Sequence, residues 1–116
     1  VADEILIQLA YAIGVAEPVG VFCNTYGTSK VNIPDSEIAK KIKKIFSLKP
    51  AEIEARFNLR TPIYLETASY GHFGRKPEKI KKVFESPYLG TKTIEVELFS
   101  WEKLDYVDTI KKEFGL

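Results

Sequence analysis

A chain of 116 residues with 45% hydrophobic and 12% aromatic content suits one compact domain, residues 1–116, able to bury roughly two-thirds of its unfolded surface. Its 17 basic and 16 acidic residues leave a net charge of +1, so no global field draws it to nucleic acid or anionic lipid. One Cys and one His exclude an internal disulfide and a closed zinc site.

Residues 5–13, ILIQLAYAI, alternate large and small side chains in the manner of a strand covered on both faces. Gly14 and Pro18 mark a break, and VGVFCNTY at 19–26 resumes the extended pattern up to Gly27, which together predict a hairpin with its connection at 14–18. Cys23 lies within this apolar stretch and reads as a buried free thiol in a reducing compartment, hence the cytoplasm. Pro34, Asp35 and Ser36 offer a helix start, with Ile38, Ile42, Ile45 and Phe46 on one face and Lys40, Lys41, Lys43 and Lys44 elsewhere. Pro50 opens a second short helix carrying Ile53 and Phe57 and ending near Asn58.

Pro62 predicts extension into TPIYLETASYGHFGRK at 61–76, which ends in the Gly-punctuated aromatic turn Tyr70-Gly71-His72-Phe73-Gly74. Two arms at 79–99 flank the turn signal Ser86-Pro87-Tyr88-Leu89-Gly90, and Ile94, Val96 and Leu98 alternate with polar neighbours, predicting a hairpin with one wet face. Ser100 is the expected cap of a last helix bearing Leu104, Val107, Ile110 and Phe114, stopped by Gly115. No apolar run approaches the roughly 18–20 residues that cross a bilayer, so a membrane is not an expected partner. The chain has no Met and opens at Val1-Ala2-Asp3-Glu4 directly against an apolar run, as a piece of a longer polypeptide or a processed N-terminus would.

Local chemistry is sparse. Gly27-Thr28-Ser29-Lys30 lacks the order of a phosphate loop, and no nucleophile elbow accompanies His72. Lys40–Lys44 and Lys79–Lys82, with Tyr70, His72, Phe73 and Arg75, form the alternative reading: a stand-alone module binding phosphate or nucleic acid. Solvated lysines offset by Glu52, Glu54, Glu95 and Glu97 are the plainer account of the same residues.

Whole segments carry more than composition. Tyr11-Ala12-Ile13-Gly14-Val15-Ala16-Glu17-Pro18 resembles a hallmark run of the S-adenosylmethionine synthase (methionine adenosyltransferase) family. In the family's order follow Thr25-Tyr26-Gly27-Thr28, Phe46-Ser47-Leu48-Lys49-Pro50 (similar to Phe-Asp-Leu-Arg-Pro), and Leu59-Arg60-Thr61-Pro62-Ile63-Tyr64. Thr67-Ala68-Ser69-Tyr70-Gly71-His72-Phe73-Gly74-Arg75 differs from the family's run at one position, and Phe99-Ser100-Trp101-Glu102-Lys103 is similar to its closing Phe-Pro-Trp-Glu-Lys. Ser47 and Lys49 stand where the family has Asp and Arg, which puts any salt bridge there in doubt, and 79–99 is an extra hairpin that shorter members lack.

The resemblance implies an α/β (α+β) fold, a β-sheet with helices packed on one face, forming most of the last of three similar domains. It implies an intact enzyme that joins ATP and methionine into S-adenosylmethionine with release of phosphate and diphosphate, assisted by Mg2+ and K+, in the cytoplasm. The implied partners are the enzyme's remaining domains and further copies, as a homodimer or homotetramer. The family's phosphate-gripping and metal-binding segments lie upstream of Val1, so no catalytic or metal-ligating residue is expected in this chain, and the chain alone is expected to be inactive. Ile13 is carried over as a wall of the methionine pocket, and Tyr70, Gly71, His72 and Phe73 as a motif shaping the domain or its subunit contact.

Overall fold

The computed structural model describes residues 1–116, and its elements follow chain order. Strands β1 (Leu6–Ala10) and β2 (Gly20–Asn24) precede helices α1 (Asp35–Ile45), α2 (Pro50–Phe57) and α3 (Tyr64–Thr67). Strands β3 (Glu78–Ser86) and β4 (Gly90–Leu98), a 3-10 turn at Ser100–Glu102 and helix α4 (Val107–Phe114) complete the chain. The class is α+β, as expected, with two separate two-stranded antiparallel sheets. The chain, expected as one domain, divides into two compact units: residues 1–53 with 105–116, and residues 54–104.

In the first unit β1 pairs with β2 in the register Ile7↔Cys23 and Leu9↔Val21. Those four side chains share a face because strand residues two apart point the same way. Helix α1 covers that face, and Ile38 and Ala39 pack on Cys23, with Ile7, Val21, Ile42 and Phe114 around them. The opposite face, with Leu6 and Phe22, is exposed, so the strand expected at 5–13 is covered on one side only and ends at Ala10. The connection is correspondingly longer, residues 11–19 rather than 14–18, and Val19 N–H donating to Ala10 O at 2.8 Å closes it. Helix α1 begins where Pro34 and Asp35 predicted, but the Asp35 side chain caps no helical amide. Helix α4 ends on Gly115 in the left-handed region (φ 68°), a conformation glycine adopts without a Cβ penalty.

In the second unit the full register from Glu78↔Leu98 to Ser86↔Gly90 forms the predicted hairpin, closed by Pro87-Tyr88-Leu89. Val96 and Leu98 join Ile63 and Phe99 in a buried cluster, flanked by Leu59, Ile80, Ile94 and Trp101. Two local expectations fail here. Extension after Pro62 gives way to the helical turn α3, because proline restrains the residue before it and leaves those after it free. Thr67 Oγ1 donates to Ile63 O at 2.9 Å, and Lys82 from β3 reaches both Pro62 O (2.9 Å) and the Glu66 carboxylate, which hold the turn. Ser100 does not cap α4: its hydroxyl donates to Phe57 O at 2.8 Å within the 3-10 turn, and α4 starts seven residues later, at Val107, leaving Leu104 exposed. No helix is long and apolar enough to cross a membrane.

Candidate functional site

The loop 11–19 is an ordered structure built from its own sequence. Gly14 takes φ +80°, which glycine supplies without steric cost, and Val15 N–H donates to Ala12 O at 3.1 Å across the turn. Ile13 sits on that turn with its side chain wholly in solvent, at 106% relative exposure. It is therefore not a core residue, and it lies three positions beyond the end of β1 rather than on a buried strand. The ends of the loop are tied to residues 46–50. The Tyr11 hydroxyl donates to Leu48 O, and Lys49 Nζ lies 3.4 Å from Glu17 Oε1. Lys49 thus makes an ion pair although it replaces the arginine of the resembling segment. A polar cavity of about 310 Å³ adjoins the clamp, lined among others by Glu17, Lys43, Lys44, Lys49 and Glu52.

The Thr25–Asp35 contact, which the sequence reading missed, fixes the far end of β2. The Asp35 carboxylate accepts from Thr25 N–H at 2.9 Å and from the Thr25 hydroxyl at 2.7 Å. These bonds, the backbone one foremost, hold the Asp35 carboxyl below its usual range. Burial pushes the Cys23 thiol up, and the nearby Asp35 charge adds to the effect. The only sequence signal for the pair was a Thr at a strand end and an Asp at a helix start, each of which serves local roles far more often.

The second unit carries the motif Tyr70-Gly71-His72-Phe73. Tyr70 (φ 62°) and Gly71 (φ 88°) both occupy the left-handed region, which turns the chain sharply. His72 Nδ1 lies 2.9 Å from Thr67 O, and His72 O accepts from Trp101 Nε1 at 2.7 Å. Gly74 N–H donates to Glu102 Oε1 at 2.7 Å, while the Arg75 guanidinium sits 4.5 Å from the Phe99 ring centroid. The 67–75 and 99–103 segments are therefore cross-linked by four side chains. Tyr70 and Phe73 point outward, at 99% and 82% relative exposure. His72 has its ring nitrogen on a backbone carbonyl and no nucleophile beside it, an arrangement that shapes a turn.

Several lysines of the two tracts are engaged internally. Lys40 pairs with Glu37 at 2.6 Å, and Lys41 and Lys44 both meet Glu113, whose carboxyl is held low chiefly by Lys44. Lys82 meets Glu66 at 2.9 Å and holds that carboxyl low as well. Lys79 and Lys81 stand opposite Glu97 and Glu95 in the hairpin register. The acids paired with these tracts are thus Glu37, Glu113 and Glu66, whereas Glu97 pairs with Lys103. No three His, Cys, Asp or Glu side chains gather as metal ligands would.

The family model described as "S-adenosylmethionine synthetase, C-terminal domain" matches residues 1–85. The S-adenosylmethionine synthase of Flavobacterium johnsoniae is 62% identical over 116 residues, all of this chain and 28% of that protein. The Phocaeicola vulgatus enzyme of the same name is 61% identical over the same length, 27% of its own. Among solved structures, an unusual S-adenosylmethionine synthetase from Campylobacter jejuni superposes with a TM-score of 0.73 at 29% identity, covering 97% of this chain and 25% of that one. The chain spans just over a quarter of the length of the curated relatives it matches.

Proposed function

The chain belongs to the S-adenosylmethionine synthetase C-terminal domain family, and from that premise we propose that both its units form most of the last domain of a methionine adenosyltransferase. In that reaction the methionine sulfur attacks the 5′ carbon of ATP and displaces triphosphate, which water then cleaves to phosphate and diphosphate. The observation that carries the reading is identity of about six residues in ten to S-adenosylmethionine synthases across the whole chain. In this proposal the chain supplies no reacting group, and the other domains and further copies, as a homodimer or homotetramer, complete the site.

Ile13 is the residue we assign to substrate, as one wall against the methionine side chain. Its exposure supports this: an ordered turn that projects a bare aliphatic side chain is suited to meet an apolar group brought by something else. Tyr70 and Phe73, equally bare on their own turn, are assigned to contact with the rest of the enzyme. No three His, Cys, Asp or Glu side chains of this chain gather as a ligand set for Mg2+, and we derive no step through Mg2+ or K+. The hairpin 79–99 is assigned as an addition remote from the chemistry; the family match ends at residue 85, inside β3.

The test is S-adenosylmethionine formation from ATP and methionine with magnesium and potassium, comparing this chain with a version extended upstream to a natural start. Product from the extended protein alone is the expected result. Absence of product from both would remove the assignment, and product from the bare chain would show that these residues do chemistry themselves.

A further inference from the structure

Ile13 has no packing of its own to hold it, since its side chain is wholly exposed. Its position is set by the backbone of residues 11–19, and that backbone carries a glycine at φ +80° with nothing within 4 Å of a would-be Cβ. A turn of this kind, on a loop whose residues 11–17 are all exposed and which returns to the fold only at the buried Pro18, would ordinarily swing. Two contacts straddle the glycine and prevent it. Before it, the Tyr11 hydroxyl donates to the carbonyl of Leu48, 37 residues away in sequence. After it, the Glu17 carboxylate pairs with Lys49 Nζ at 3.4 Å. Both anchors fall on adjacent residues, so the two ends of the loop are referred to one short segment between α1 and α2.

We propose that Tyr11, Glu17 and Lys49 are positioning residues that set selectivity for the alkyl group on the substrate's sulfur, acting through Ile13. This rests on the reading of Ile13 as a wall of the methionine pocket. The ion pair is half in water, with side-chain exposures of 43% for Lys49 and 57% for Glu17, so it biases the loop rather than locking it. Releasing either anchor lets the turn retreat, which lowers affinity for the S-methyl substrate and relaxes discrimination against a longer S-alkyl group.

The experiment measures kcat and KM for methionine and for its S-ethyl analogue in the full-length enzyme. Ile13→Ala, Tyr11→Phe, Glu17→Gln, Lys49→Met and Lys49→Arg are compared with the unmodified protein. Loss of the tyrosine hydrogen bond is expected to raise KM for methionine about two- to tenfold. Glu17→Gln and Lys49→Met should each raise it about two- to fivefold, with the double variant no worse than either single one. Preference for the S-ethyl analogue should move in the same direction as in Ile13→Ala, kcat should change less than KM, and Lys49→Arg should restore the unmodified behaviour. If Ile13→Ala shifts the preference while Tyr11→Phe and Glu17→Gln do not, the clamp is wrong and the pocket reading stands. If Ile13→Ala also leaves methionine kinetics unmoved, the pocket reading falls and takes the clamp with it. Variants that lose thermal stability at unchanged preference would make the three residues purely structural and overturn the proposal.

Discussion

The two turns that push a large apolar side chain into solvent are held in opposite ways. Beyond its closing hydrogen bond and the buried Pro18, the turn at Ile13 is held by one tyrosine hydroxyl and one half-exposed ion pair. The turn at Tyr70–Phe73 is bolted through Trp101, Glu102 and Arg75 onto a segment whose Phe99 is only 2% exposed. Anchors in water are worth little individually, whereas anchors continuous with a buried cluster share its cooperativity. The first turn is therefore adjustable at small cost, while the second is tied to the buried cluster of its unit.

The largest effect that tests this contrast is Phe99→Ala. Removing a ring that packs with Ile63, Val96 and Leu98 should cost about 3–5 kcal/mol, read as the denaturant midpoint, and should speed proteolysis at 67–75 while leaving the rate at 11–19 unchanged. An equal change at both turns would break the comparison. Trp101→Phe keeps most of the packing and deletes the donor to His72 O, so about 1 kcal/mol is expected, with faster amide exchange confined to 67–75.

In the first unit the comparable polar tie is Asp35 to Thr25. Its carboxyl is held below the ordinary aspartate value, about 3.9, so the folded state binds that proton less readily than the unfolded chain does. The contribution is present above the unfolded value and is lost as pH falls through the lower folded one. Thermal melting between about pH 5 and pH 2 should show a decline that Asp35→Asn flattens. A decline of the same size in the variant would assign it to other carboxylates. The smallest expected change is in Ile13→Ala, within about 0.5 kcal/mol of unmodified stability, because a side chain already in water loses nothing on truncation. A larger loss, seen in the same melting experiment, would mean that Ile13 packs in a way its exposure denies.

Much of the framework was legible because local rules and packing agree there. Alternation through Ile94, Val96 and Leu98 matched a face that is in fact buried against Ile63, and Gly115 stopped α4 as a glycine in the left-handed region does. Residues 5–13 misled because an apolar strand announces that it can be covered and says nothing of by what. Here α1 covers one face, while Tyr11 leaves the strand for a carbonyl in another segment. Residues 63–67 misled because β-branched and aromatic residues favour extension on average, yet Lys82 fixes a helical turn from a hairpin that local sequence does not see. The segment around Ile13 was legible as a motif, but what holds it in place was not. Tyr11, Glu17, Leu48 and Lys49 were all present in the resembling segments, and only three-dimensional structure brings the two segments together.

One further property follows from the single cysteine beneath α1. Cys23 is buried and its thiol is pushed toward the unreactive protonated form, and reaction with an alkylating reagent requires the thiolate in contact with solvent. Since no second thiol exists in the sequence, the rate of covalent labelling is a direct clock for the lifting of α1 from β2. Slower labelling at Cys23 itself in a version extended upstream than in the bare chain would time how firmly the added segments keep that unit shut.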